Sequence, residues 1–193
     1  SGDGRQVLVR EARAVVDVLD ALKIDRAVFV GHHTGAIVSF ELAAAFPERV
    51  DRVVLSGPVC TDAAGRAELS NVFKQWRVRN DGSHLQEKWD RFSKWTPDPA
   101  LVQRLVLDLW RAGESSEQGH FASARYRMED RLGLVKCPAL LIYGKQDPFA
   151  DPVRAKPIRE AFKPSTEVFL DTGVFAANEN PALFAQTVLD YVL

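Results

Sequence analysis

The residues best able to do chemistry gather at one sharp turn. In Gly31-His32-His33-Thr34-Gly35, His33 stands at the tip, with a glycine two residues to either side. Histidine changes charge near neutral pH, which suits it to act as a general base. Glycine is expected at both positions, because a side chain at either would meet the neighbouring strand or helix as the backbone doubles back. His32 is expected to pack under the helices above the turn or to face a pocket mouth. His84 and His120 fall in helical stretches; either could descend as a replacement base or remain a packing or surface residue. Cys60 and Asp62 follow the next strand and could stand at a pocket edge, Cys60 as a nucleophile only with His33 as its base. No metal-ligand spacing surrounds the histidines, so neither a metal nor a cofactor is expected.

These residues need a scaffold, and the hydrophobic pattern supplies one. Ala27–Val30 predicts a buried strand, Thr34–Phe46 a helix, and Val53–Leu55 a second strand ending at Ser56-Gly57-Pro58. Strand, tight turn, helix and strand form a βαβ unit, which demands a parallel sheet and a right-handed crossover. Before it, Arg5–Leu22 carries a helical stripe of Val7, Val15, Val18, Leu19 and Leu22. After it, residues 61–133 hold all four tryptophans and predict helices near Arg66–Asn80, His84–Trp95, Ala100–Ala112 and Gln118–Arg131. An apolar strand within Val135–Tyr143 resumes the sheet. A helix over Asp151–Phe162, with Pro152 in its first turn, a strand over Thr166–Leu170 and a helix over Pro181–Val192 follow.

The turn resembles the nucleophile elbow, Gly-x-Ser-x-Gly, of the α/β-hydrolases, and the likeness runs on through Phe46-Pro47-Glu48-Arg49-Val50. Two more landmarks follow in the family's order. Cys137-Pro138, an apolar strand and Gly144-Lys145-Gln146-Asp147 match the segment that carries the triad acid. Gly173-Val174-Phe175, with Glu179 and Pro181, stands where relatives read Gly-His-Phe followed by Glu-x-Pro. The resemblance implies an α/β fold: a parallel β-sheet of the α/β-hydrolase type with an inserted all-helical cap. Residues 1–60 and 134–193 would form the core and 61–133 the cap. It also implies that the N-terminal strands of the usual sheet are absent from this chain, which leaves the elbow strand without a neighbour. A second polypeptide or the protein's own N-terminal segment is the expected partner completing the sheet; a homo-oligomer is the alternative.

Carried over position by position, the triad reads His33, Asp147 and Val174. Valine accepts no proton, so ordinary serine esterase chemistry is not expected. The space of the usual imidazole now holds a valine, and an imidazole rooted at position 33 can lean into it and pair with Asp147. Such a dyad is a general base for water or an acidic C–H, with the Thr34 backbone N–H as oxyanion donor. Ester, lactone or carbon–carbon hydrolysis, or cofactor-free lyase or isomerase chemistry, on a small organic substrate would follow. The alternative is a non-catalytic homologue that binds a ligand or partner. Trp76 and Trp110 are expected to roof the pocket, with His32, Cys60 and Phe175 beside it, unless the tryptophans build the cap's own core.

Composition narrows the setting. The chain has 193 residues, 46% hydrophobic and 26% charged, with a formal net charge of −1. That suits a soluble domain, with no reason to expect nucleic acid or a membrane surface as partner. No apolar run approaches the roughly 18 residues of a membrane span. Two cysteines far apart in sequence read as reduced thiols of a cytoplasmic protein.

Overall fold

Two buried apolar runs, Val53–Leu55 within the strand Val50–Ser56 and Ala139–Tyr143 within the strand Ala139–Gly144, form the centre of the sheet because helices cover both of their faces. The computed structural model describes residues 4–60, 62–72 and 75–193. Its strands β1 (Ala27–His32), β2 (Val50–Ser56), β3 (Ala139–Gly144) and β4 (Ser165–Leu170) are all parallel, in the order β1-β2-β3-β4. The period of two divides the core cleanly. Val53, Leu55, Ala139, Leu141 and Tyr143 face one cluster, with Leu8, Val16 and Phe40 of helices α1 (Gly4–Leu22) and α2 (Thr34–Ala45). Val54, Leu140, Ile142 and Leu170 face the other, against Phe184, Val188 and Val192 of the last helix.

Helix α2 is apolar on every side and buried from Ala36 through Ala44 but for half-buried Val38, as the central helix of a layered α/β fold must be. Its one buried charge, Glu41, accepts hydrogen bonds from the Tyr126 hydroxyl at 2.5 Å and from Arg131 at 2.8 and 3.1 Å, which satisfies the carboxylate. Strand β1 lies at the sheet edge, and its outward Val28 and Val30 are 36% and 50% exposed. An apolar edge of this kind is what the resemblance led us to expect.

Between β2 and β3 run α3 (Ala63–Val72), α4 (Ser83–Phe92), α5 (Pro99–Ala112) and α6 (Gln118–Ser123). The helix expected over Arg66–Asn80 is described as far as Val72; positions 73–74 lie outside the described residues, and 75–79 have no regular structure. The helix expected to reach Arg131 ends at Ser123, and 3-10 turns carry Arg131 to its pairing with Glu41. After β3, the helix expected from Asp151 begins only with α7 (Lys156–Ala161). The Asp151 carboxylate accepts from the Val153 N–H at 2.8 Å, which holds a turn there, and Pro157 rather than Pro152 occupies the first helical turn. A short α8 (Ala176–Glu179) precedes α9 (Pro181–Val192), whose bounds match the expectation. Among the described residues no helix is long and apolar enough to cross a membrane.

Candidate active site

The turn after β1 is tight because the backbone reverses within one residue. His33 has φ 46° and ψ −106°, a conformation that strains any residue with a Cβ. A Cβ at Gly31 would lie 2.2 Å from the Gly35 carbonyl oxygen and 2.5 Å from Ser39 Oγ, so glycine is obligatory there. At Gly35 a Cβ would meet no described atom within 4 Å. The expectation of a collision at both glycines therefore holds only for Gly31, because the Cβ direction at Gly35 points into open space.

The reversal aims the His33 ring at the end of β3. His33 Nε2 lies 2.7 Å from Asp147 Oδ2, with the carboxylate buried and the ring partly open. Asp147 is itself fixed, since Oδ1 accepts from the Phe149 N–H at 2.9 Å. With Nε2–H donating to the carboxylate, the nitrogen that keeps its lone pair is Nδ1. A residue not singled out in the sequence makes this contact geometrically possible. Gly57 has φ +60°, and a Cβ there would lie 2.3 Å from His33 Cδ2, 2.5 Å from its Nε2 and 3.1 Å from Asp147 Oδ2. Its only sequence signal is the Ser56-Gly57-Pro58 break. Because the obstructed atoms belong to side chains, Gly57→Ala is expected to push the ring aside at a cost of about 1–2 kcal/mol from the positive φ. Loss of turnover far beyond the small drop in urea midpoint would confirm the reading; unchanged turnover would refute it.

His33 and Thr34 form part of the wall of a cavity of about 280 Å³. Ile37, Phe92, Trp95, Phe149, Val174 and Phe175 supply apolar wall, and His32, Arg91, Glu117 and His120 supply polar wall. Trp95 meets Phe149 edge-on, with ring centroids 5.1 Å apart. A larger hollow of about 610 Å³, lined by Arg26, Arg52 and Lys136 among others, lies at the opposite ends of the strands. In an open parallel sheet the carboxyl ends of the strands are the place for chemistry.

Similarity to known proteins agrees with this architecture. The family model for the alpha/beta hydrolase fold matches residues 9–181. The chain belongs to the α/β hydrolase fold family. It is 25% identical over 161 residues to the 2-hydroxy-6-oxo-6-phenylhexa-2,4-dienoate hydrolase of Comamonas testosteroni, covering 72% of this chain and 52% of that protein. It is 24% identical over 180 residues to the 3-oxoadipate enol-lactonase 2 of Acinetobacter baylyi, covering 90% of this chain and 66% of that protein. The crystal structure of a hydrolase from Pseudomonas aeruginosa superposes with a TM-score of 0.77 at 26% identity, over 96% of this chain and 71% of that one. The chain thus spans about half of the first relative and two thirds of the second.

Within this member of the α/β hydrolase fold family, His32, Thr34, Val174 and Phe175 line the cavity together with His33. Three other expected pocket residues do not. Trp76 is buried against His84, ring centroids 5.4 Å apart, and Trp110 is 58% exposed. The pocket tryptophan is Trp95, a choice that helical spacing alone does not make. Cys60 is buried in the main core cluster, and burial pushes its thiol pKa up, the wrong direction for a nucleophile. Asp62 instead accepts from the Gly65 N–H at 2.7 Å at the start of α3. His84 Nδ1 accepts from the Arg79 N–H at 3.2 Å, whereas His120 does reach the cavity. Cys137, also a buried free thiol, is pushed up to about 11 by burial.

The loop bearing Val174 is held by Glu179, whose carboxylate accepts from the N–H groups of Gly173 at 2.6 Å and Phe175 at 3.0 Å. The loop can come so close to β3 because Gly144 has no Cβ, which would lie 2.3 Å from the Gly173 carbonyl oxygen. His32 Nδ1 lies 3.2 Å from Ser56 Oγ. Desolvation, then the neighbouring His33, lowers the His32 pKa from 6.5 to about 4, against smaller pulls from Asp147 and Ser56. His32 is thus neutral at pH 7. A histidine whose folded pKa is depressed contributes stability that is present above the unfolded value of 6.5 and lost as pH falls toward about 4. His32→Gln is expected to flatten that part of a stability–pH curve measured by urea unfolding.

Proposed function

We propose that this α/β hydrolase uses His33 Nδ1 as a general base on a small organic substrate, or on water beside it, without a cofactor. The observation that carries this reading is the 2.7 Å contact between His33 Nε2 and Asp147 Oδ2 at the wall of the cavity. Asp147 fixes the tautomer and stabilises the imidazolium once Nδ1 has taken the proton. If water is the proton donor, the hydroxide adds to a carbonyl carbon, and the leaving group recovers the proton from the imidazolium. If the donor is an acidic C–H, the product is an enolate. In both cases negative charge develops on a carbonyl oxygen, and Thr34, the first residue of α2, offers a backbone N–H that has no acceptor within the helix. Ester, lactone and carbon–carbon hydrolysis and lyase or isomerase chemistry all fit this base. The relatives described as a dienoate hydrolase and an enol-lactonase support small carbonyl-bearing substrates.

The test is a panel of esters, lactones and diketones assayed with the full-length protein and with His33→Ala. Turnover abolished by the substitution supports the base. Binding without turnover on any class would favour a second reading, a ligand-binding homologue, which the buried Val174 at the family's usual histidine position supports. The double change His33→Ser with Val174→His is expected to create esterase activity if pocket and oxyanion donor are intact.

We also propose that the exposed edge of β1 receives a further strand, from another segment of the protein or from a second polypeptide. Amides of β1 that do not bond β2 should then exchange slowly in the full-length protein. Exchange at the rate of an open edge would argue against an added strand.

A further inference from the structure

We infer that the substrate carries an uncharged aromatic ring next to its reacting carbonyl, held in a corner of perpendicular aromatic side chains that begins at the His33 ring. This rests on the proposed function for the reacting end of the substrate and adds what the rest of the cavity recognises. Phe149 meets the His33 ring edge-on, with centroids 5.9 Å apart and planes at 77°. Trp95 meets Phe149 in turn at 5.1 Å and 89°, and Phe92 meets Trp95 at 5.6 Å and 73°. Phe175 ends the run, 6.4 Å from Phe92. All four rings line the cavity. Phe92 and Trp95 come from the segment between β2 and β3, Phe149 and Phe175 from the loops after β3 and β4.

The orientation of these rings gives the wall its preference. Aromatic rings attract one another through their quadrupoles, either offset-stacked or edge-to-face. Where two wall rings stand at 89°, a planar guest can lie over one and meet the other edge-on. A saturated ring is thicker and has no π-face, so it gains neither contact. Trp95, Phe149 and Phe175 are only half-buried, which leaves ring surface for a guest to cover. The Arg91 guanidinium, 4.9 Å from the Trp95 centroid, helps to hold the indole in place. A volume of about 280 Å³ suits one ring on a short chain, because sites for drug-sized ligands run to roughly 300–1,000 Å³. The charged groups of the wall are tied to one another. The Glu117 carboxylate lies 2.7 Å from Lys88 Nζ, 2.8 Å from His120 Nδ1 and 3.6 Å from Arg91. With these partners supplied by the fold, the wall demands no charge on the substrate.

Two unreactive neutral probes test the inference: 3-phenylpropanamide and 3-cyclohexylpropanamide, with binding to the full-length protein measured by calorimetry. Burial of apolar area alone would favour the cyclohexyl amide, which has at least as much of it. The phenyl amide is nonetheless expected to bind about threefold to tenfold tighter. Trp95→Leu and Phe149→Leu are each expected to bring the two within about twofold while the cyclohexyl amide still binds, which also shows that the variants are folded. Trp95→Phe is expected to keep the preference. Equal or reversed affinities for the unaltered protein, a phenyl preference that survives both leucine substitutions, or binding of neither amide would each overturn the inference. A phenyl preference with no turnover on any carbonyl substrate would sink the proposed base alone. His33-dependent turnover with no preference between the two amides would sink the aromatic corner alone.

Discussion

Asp147→Asn is expected to lower kcat/KM by about three to four orders of magnitude while leaving the protein folded. The amide can still accept from the Phe149 N–H through its oxygen, so the local turn survives. Its NH2 group, however, would face His33 Nε2 and donate to it. The ring must then carry its proton on Nδ1, the atom that has to accept one. His33→Ala removes the base outright and is expected to cost turnover about a thousandfold. It also leaves the buried Asp147 carboxylate without its 2.7 Å partner, for a loss of about 1–3 kcal/mol in stability. Steady-state kinetics together with urea unfolding of both variants separate the two effects. If both variants kept turnover within a few-fold of the unaltered protein, Nδ1 would not be the base.

Gly31→Ala is expected to be among the most damaging additions of a single methyl group to this fold. The added Cβ would lie 2.2 Å from the Gly35 carbonyl oxygen and 2.4 Å from its carbon, and these are backbone atoms at the first turn of α2. Neither can rotate away. Relief requires moving α2, whose Ile37, Phe40 and Leu42 are buried in the main core. A loss of about 3 kcal/mol or more follows, at the upper end of overpacking costs, and it would show as a large drop in urea midpoint. A loss within the range of ordinary surface substitutions would mean that the elbow opens easily, and with it the argument that His33 is rigidly aimed. Gly57→Ala differs in kind, because there the obstructed atoms are side chains, so function falls more than stability.

The amino-acid sequence by itself determined the βαβ unit, the parallel sheet, the elbow with His33 at its tip and the closing helix from Pro181. These follow from local pattern: apolar runs of strand length, glycines at a reversal, proline at a helix start. Resemblance added Asp147 as the partner of His33, a pairing across 114 residues that no local pattern contains. The tertiary structure decided which side chains share the cavity. Trp95 lines it while Trp76 packs against His84 and Trp110 faces outward, because the direction of an aromatic ring depends on how its helix is rolled against its neighbours, not on its spacing along the chain. The same holds for Gly57 and for the Lys88–Glu117–His120–Arg91 cluster, which joins α4 to α6 and the 3-10 turn before it. Steric clearance and charge balance are sums over atoms distant in sequence, and only the packed fold brings those atoms within reach of one another.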